Sequence, residues 1–65
     1  MSSEKEITRI YGDYNTFIVY QVSTTFTEKF YVYQDEKFIS GFNSLSEAVK
    51  YAYEKAGPNA VEKKL

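Results

Sequence analysis

The 65-residue sequence contains no cysteine and no histidine. No disulfide and no thiolate nucleophile can form, and the usual ligands of structural zinc are missing. A metal site would need converging carboxylates, whereas Asp35 and Glu36 are adjacent in a polar stretch that is typical of a turn. The three glycines are isolated, so no phosphate-binding loop is present. We therefore predict no catalytic residue, no metal and no cofactor, and a protein that is not an enzyme.

Long apolar runs are also missing. No stretch of about 18 apolar residues exists to span a membrane, and the polar start MSSEKE has no signal-peptide core. The absence of cysteine fits a reducing compartment, so we predict a cytoplasmic protein, in the host cytoplasm if the source is viral. The net charge of −1 gives no overall attraction to nucleic acid or membranes.

The composition that remains is that of one folded domain. The hydrophobic fraction is 43% and the aromatic fraction 18%, which is too high for a disordered chain. Runs of β-branched and aromatic residues predict strands at 7–11, 16–22, 29–33 and 38–42, linked by a polar connection at 23–27 and a hairpin loop at 34–37. Short links between successive strands predict an antiparallel meander of three or four strands within 6–42, after a frayed terminus at 1–5.

One helix is predicted at 44–56. Ser44 and Glu47 have the spacing of a capping box, and Gly57-Pro58 is a typical helix end. The tail at 57–65 is expected to be loose or lightly docked through Val61 and Leu65. The sequence thus predicts an α+β domain in which a C-terminal helix packs on one face of the sheet.

A single helix can cover only one face of that sheet. Alternation predicts that seven strand residues meet Leu45 and Val49 of the helix: Ile18, Tyr20, Val22, Phe30, Val32, Ile39 and Phe42. The opposite face then carries Phe17, Val19, Tyr31, Tyr33 and, near its edge, Phe38, together with Lys29 and Arg9. Four partly exposed rings and aliphatic groups approach the few hundred Å² that usually mark an interaction site.

Three occupants of this face are considered. A protein surface, including a second copy of the chain, suits aromatic residues with few charges, and the sequence favours a small protein-binding module. Such a small chain is typical of accessory or inhibitor proteins of viruses and mobile elements. The alternative is nucleic acid, with bases stacked on the aromatic rings and phosphates bound by Lys29, Lys37 and Arg9. The third occupant is the chain's own N-terminal segment, folded across the face.

Residues 38–57, FISGFNSLSEAVKYAYEKAG, combine an apolar strand, a Gly-Phe pair and a Ser-capped, Ala-rich helix. This stretch resembles the three-stranded DNA-binding domains of ethylene-response factors and of integrase amino termini, and also the HicB type of antitoxin. The resemblance implies a sheet-plus-helix fold. The DNA-binding families read the major groove with Arg, Lys and Trp on their strands. On the corresponding strands this chain has Phe17, Val19, Tyr31 and Tyr33 instead, so only the fold is carried over.

Overall fold

The computed structural model describes residues 3–64, which form one antiparallel sheet and one helix. In chain order the elements are β1 (Ser3–Tyr11), β2 (Thr16–Ser23), β3 (Glu28–Gln34), β4 (Lys37–Phe42), α1 (Leu45–Ala56) and β5 (Val61–Lys64). The spatial order of the strands is β4-β3-β2-β1-β5. The predicted α+β class, the antiparallel meander and the helix after the fourth strand are confirmed.

The turn between β3 and β4 is tighter than the predicted four-residue loop. Gln34 pairs with Lys37, so only Asp35 and Glu36 connect the strands. Both have left-handed backbones, with φ of 48° and 73°, as a two-residue hairpin that follows the sheet twist requires. The Asp35 carboxylate accepts the backbone N–H of Thr16 at 3.0 Å, which ties this turn to the start of β2.

Helix α1 begins and ends where its capping residues predict. The hydroxyl of Ser44 accepts the N–H of Glu47 at 3.3 Å, and Gly57 follows the last turn with φ of 101°. The end of the helix lies against the turn between β1 and β2. A Cβ atom on Gly12 would lie 2.7 Å from the carbonyl oxygen of Ala56, so only glycine permits this close approach.

The core lies between α1 and one face of the sheet, here called the helix face. Its fully buried residues come from the three central strands and the helix: Thr8, Ile10, Phe17, Val19, Val32, Ala48 and Ala52. The alanines let the helix approach the sheet closely. Phe30, Ile39, Phe42 and Val49 pack against this core as predicted, whereas Leu45 is exposed.

The prediction for β2 was wrong in its phase. Phe17 and Val19, expected on the uncovered face, are 1% and 0% exposed beneath the helix. Val19 pairs with Val32 and Tyr20 with Tyr31, so Ile18, Tyr20 and Val22 take the opposite face. Paired residues of neighbouring strands share a face, and the register therefore fixes the side of every residue in β2.

Both ends of the described part of the chain, residues 3–64, are more ordered than predicted, and residues 1 and 2 of the predicted frayed terminus lie outside it. Residues 3–5 pair with β2 instead of fraying, and the expected tail contains β5, which pairs with β1. The Glu62 carboxylate of β5 accepts the hydroxyl of buried Thr8 at 2.9 Å and that of Tyr53 at 3.1 Å. These bonds attach β5 to both β1 and the helix. The docking predicted through Leu65 lies outside the described residues.

Candidate functional site

The face of the sheet opposite the helix, here called the open face, carries a cluster of aromatic rings. Tyr31, Tyr33 and Phe38 lie there together, as predicted, and Tyr20 joins them from β2. The ring centroids are 5.2 Å apart for Tyr20–Tyr33, 5.2 Å for Tyr31–Phe38 and 5.8 Å for Tyr33–Phe38, all with edge-to-face geometry. The four rings form a continuous aromatic patch across β2, β3 and β4.

The aromatic patch is accessible at its outer edge. Phe38 is 54% exposed although it is a large apolar side chain. Tyr31 lies over Gly41, where a Cβ atom would come within 3.0 Å of the tyrosine ring. The ring thus covers backbone that a side chain would otherwise shield, an arrangement that stabilises glycine near the edge of a sheet.

On β2, sequence reasoning missed Ile18, Tyr20 and Val22 of the open face. A polar residue such as Gln21 is expected on the uncovered face, and this expectation favours the wrong phase of β2. The amide of Gln21 instead lies on the helix-face side near the end of β2, where it donates to Glu28 at 2.8 Å. The hydroxyl group of tyrosine is a better indication of the phase of β2, because it makes tyrosine less suited than phenylalanine to full burial. It favours Tyr20 on the open face and Phe17 on the helix face.

The predicted cations of the site are distributed unequally. Arg9 lies on the open face and forms a two-point ion pair with Glu6, with N–O distances of 2.5 and 3.2 Å. Hydrogen bonds to Glu6 and to Tyr11 raise the pKa of Arg9 above its ordinary value, and the bond from Arg9 lowers the pKa of Glu6. Both groups are therefore charged at neutral pH, and their charges offset each other.

The two lysines differ in position. Lys29 has the same face as Tyr31 by alternation, and its ammonium group donates to the side-chain oxygen of Asn43 at 2.5 Å. Lys37 pairs with Gln34, which itself pairs with the buried Phe17. Lys37 is therefore on the helix-face side of the sheet. Its expected place beside the open aromatic rings was wrong.

A concavity of about 730 Å³ lies next to the aromatic patch. Its volume is within the roughly 300–1,000 Å³ of typical binding clefts. Its lining comes from β1, β2, β3 and the turn after β3: Glu4, Arg9, Tyr11, Thr16, Ile18, Tyr20, Tyr33, Asp35 and Glu36. The lining thus combines apolar, tyrosine and threonine side chains with one guanidinium and three carboxylates. The carboxylates belong to the exposed residues Glu4, Asp35 and Glu36, here called the acidic rim.

The negative charge at the concavity is fixed by local hydrogen bonds. Asp35 accepts the backbone N–H of Thr16 and the side-chain amide of Asn15. Both bonds favour the ionised carboxylate and lower its pKa, with the backbone bond the larger cause. Asp35 therefore keeps its negative charge at and well below neutral pH.

Within residues 3–64, no segment lies over the open face. Helix α1 packs on the other face, and residues 3–11, considered as a cover, instead form strand β1. The described residues include no group of three or more acidic, histidine or cysteine side chains that could hold a metal ion. Helix α1, the one helix of residues 3–64, is not long and apolar enough to cross a membrane.

Comparison with protein-family models, curated proteins and solved structures gives no match. The resemblance of residues 38–57 to small sheet-plus-helix domains therefore remains a prediction. Functional inference has to come from the geometry and charge of the open face.

Proposed function

We propose that this domain is a small non-catalytic module that binds another protein through the open face of its sheet. The observation that carries the proposal is the aromatic patch of Tyr20, Tyr31, Tyr33 and Phe38, which nothing in residues 3–64 covers. Tyrosine and phenylalanine are enriched at protein interfaces, where rigid rings bury large areas at a low cost in conformational entropy.

The charges near the patch favour a protein over nucleic acid. A nucleic-acid surface needs free cations that follow the phosphate backbone. Arg9 is paired with Glu6, and Lys37 is on the helix-face side. Of the three predicted phosphate contacts, Lys29 therefore remains on the open face without an ion pair in residues 3–64. Carboxylates line the neighbouring concavity.

Binding without catalysis is consistent with the hydrogen bonds of the charged groups. The lowered pKa values of Glu6 and Asp35 arise from an ion pair and a turn, which are structural interactions. A cytoplasmic location belongs to the same proposal and is supported by a chain without cysteine, which needs no oxidising compartment to fold.

The test is affinity capture from extracts of the source cells with three baits: the wild-type domain, a Tyr31→Ser/Tyr33→Ser variant and a Tyr14→Ser control. Tyr14 is 95% exposed in the turn between β1 and β2, so its loss changes the surface away from the patch. The proposal expects a protein that wild type and control retain and the double variant loses. Circular dichroism must show that the double variant is folded.

Two further measurements separate the alternatives. Sedimentation at tens of micromolar gives the mass of one chain unless the partner is a second copy. Titration with single- and double-stranded oligonucleotides at low salt tests nucleic acid, because electrostatic contacts are strongest there. The protein-binding proposal would be refuted by two results together. The domain would bind oligonucleotides and lose this binding in the Tyr31→Ser/Tyr33→Ser variant, and no captured protein would depend on the open face.

A further inference from the structure

We propose that the partner inserts an arginine or lysine side chain into the concavity beside the aromatic patch, between its tyrosines and its acidic rim. This inference rests on the proposed protein-binding function and specifies the chemistry of the partner. The occupant is a basic protein segment in which apolar residues flank the cation.

The charge at the concavity favours a cationic ligand. Three carboxylates line it, those of Glu4, Asp35 and Glu36, against the single guanidinium of Arg9. The charge of Arg9 is already matched by Glu6, with an N–O distance of 2.5 Å. The concavity therefore has an excess of negative charge, although the whole chain has a net charge of only −1.

The tyrosine rings of the concavity also favour a cation. Tyr20 and Tyr33 line the concavity and meet edge to face, with centroids 5.2 Å apart, so their planes are nearly perpendicular. A cation is attracted to the face of an aromatic ring, and arginine is the cation most often found there. The aliphatic stem of the same side chain would pack on Ile18.

The structure holds these groups in place before binding. Asp35 is fixed by the N–H of Thr16 at 3.0 Å, and Tyr33 is held between Tyr20 and Phe38. Preorganised groups lose little conformational entropy when a ligand binds. The same acidic rim repels phosphates and favours a partner that supplies a cation at this point.

Selection from a random dodecapeptide library displayed on phage provides the test. The wild-type domain is the bait, and a Tyr20→Thr/Tyr33→Thr variant is used for counter-selection, with its fold checked by circular dichroism. The inference expects face-dependent peptides enriched in arginine or lysine beside apolar residues. Face-dependent peptides without basic enrichment would overturn the inference and leave the protein-binding function standing. A selection without any face-dependent peptide would count against both.

Charge-matched variants then test the acidic rim with a selected peptide. Glu4→Gln/Glu36→Gln removes two negative charges at the concavity, and Glu28→Gln/Glu54→Gln removes two elsewhere; all four side chains are exposed, so both variants should fold. We expect the rim variant to bind about three- to tenfold more weakly and the control to bind like wild type. Equal weakening in both variants would show that only the net charge matters and would overturn the inference.

Discussion

The bond between Thr8 and Glu62 offers a direct test of how the last strand is held. Thr8 is 1% exposed, and its hydroxyl donates to the Glu62 carboxylate at 2.9 Å, with the Lys63 carbonyl oxygen 3.2 Å away. Thr8→Val keeps the shape of the side chain and removes the donor. The change therefore isolates this hydrogen bond from the packing of the core.

The loss of stability expected for Thr8→Val follows from the charge of the Glu62 carboxylate. A hydrogen bond to a charged group contributes about 1.5–3 kcal/mol to stability. The additional buried methyl group of valine returns up to about 0.8 kcal/mol. We expect a net loss of about 1–2 kcal/mol, a large part of the roughly 3–10 kcal/mol expected for a domain of 65 residues.

Urea denaturation followed by circular dichroism measures this loss. With a slope of about 1 kcal/mol per molar urea for a small domain, the midpoint should fall by roughly 1–2 M. Amide hydrogen exchange should accelerate most in Val61–Lys64, because β5 is an edge strand of the sheet that residues 3–64 form and is paired there with β1. Thr16→Val is the control, since the hydrogen bonds of Thr16 within residues 3–64 are made by its backbone.

A double-mutant cycle distinguishes the bond from a packing effect. In a Glu62→Ala background the acceptor is gone, so Thr8→Val should then cost much less than in wild type. The reasoning is refuted if Thr8→Val leaves the urea midpoint unchanged, or if its cost is the same in both backgrounds.

Three other changes should alter stability in defined directions. Glu36→Gly removes a side chain from a left-handed position with φ of 73° and should stabilise the domain by about 0.5–1 kcal/mol, seen as a higher Tm. Gly12→Ala places a Cβ atom 2.7 Å from the Ala56 carbonyl oxygen and should cost about 1–3 kcal/mol in urea denaturation. Burial and the bond to Glu62 raise the pKa of Tyr53 in the folded state. The hydroxyl of Tyr53 therefore contributes fully to stability below about pH 10, and this contribution is lost as the pH rises through the higher folded pKa. The stability difference between wild type and Tyr53→Phe should therefore stay constant up to about pH 10 and shrink at higher pH.

Each of these changes has a control or a contradicting result. Glu28→Gly, in an ordinary strand, should lower the Tm, and a similar loss in Glu36→Gly would contradict the strain argument. Gly41→Ala should cost less than Gly12→Ala, because its Cβ atom would meet the movable ring of Tyr31 instead of backbone. A stability difference for Tyr53→Phe that stays constant with pH would contradict the assigned pKa direction.

One residue of turn length separates the two possible phases of β2. A connection at 23–27 would pair Val22 with Glu28, which sets Ile18 opposite Val32 and buries both. The structure pairs Ser23 with Glu28, and a turn at 24–27 closes through the Thr24 N–H and the Thr27 carbonyl oxygen at 2.8 Å. A shift of one residue in register moves every side chain of a strand to the other face. The apolar pattern could not correct it, because both phases of β2 are apolar.

The last strand was missed for a different reason. The segment VEKK has little apolar character and no clear alternation, so its sequence does not indicate a strand. Its position depends on distant partners, since Glu62 bonds to Thr8 and Tyr53. The charges that weaken the strand pattern suit a short edge strand, where lysines such as Lys63 and Lys64 oppose further pairing.

The existence of the candidate site could be predicted even though its residues on β2 could not. One helix leaves one face of the sheet uncovered, and either phase of β2 supplies that face with apolar and aromatic groups. The prediction of an uncovered aromatic face follows from the number of helices and does not depend on the register of β2. The acidic concavity, in contrast, brings Glu4 and Arg9 of β1 together with Asp35 of the turn after β3, and this depends on the pairing of β1 with β2 and of β2 with β3. The element count thus predicts an uncovered face, whereas strand register determines which charged groups lie beside it.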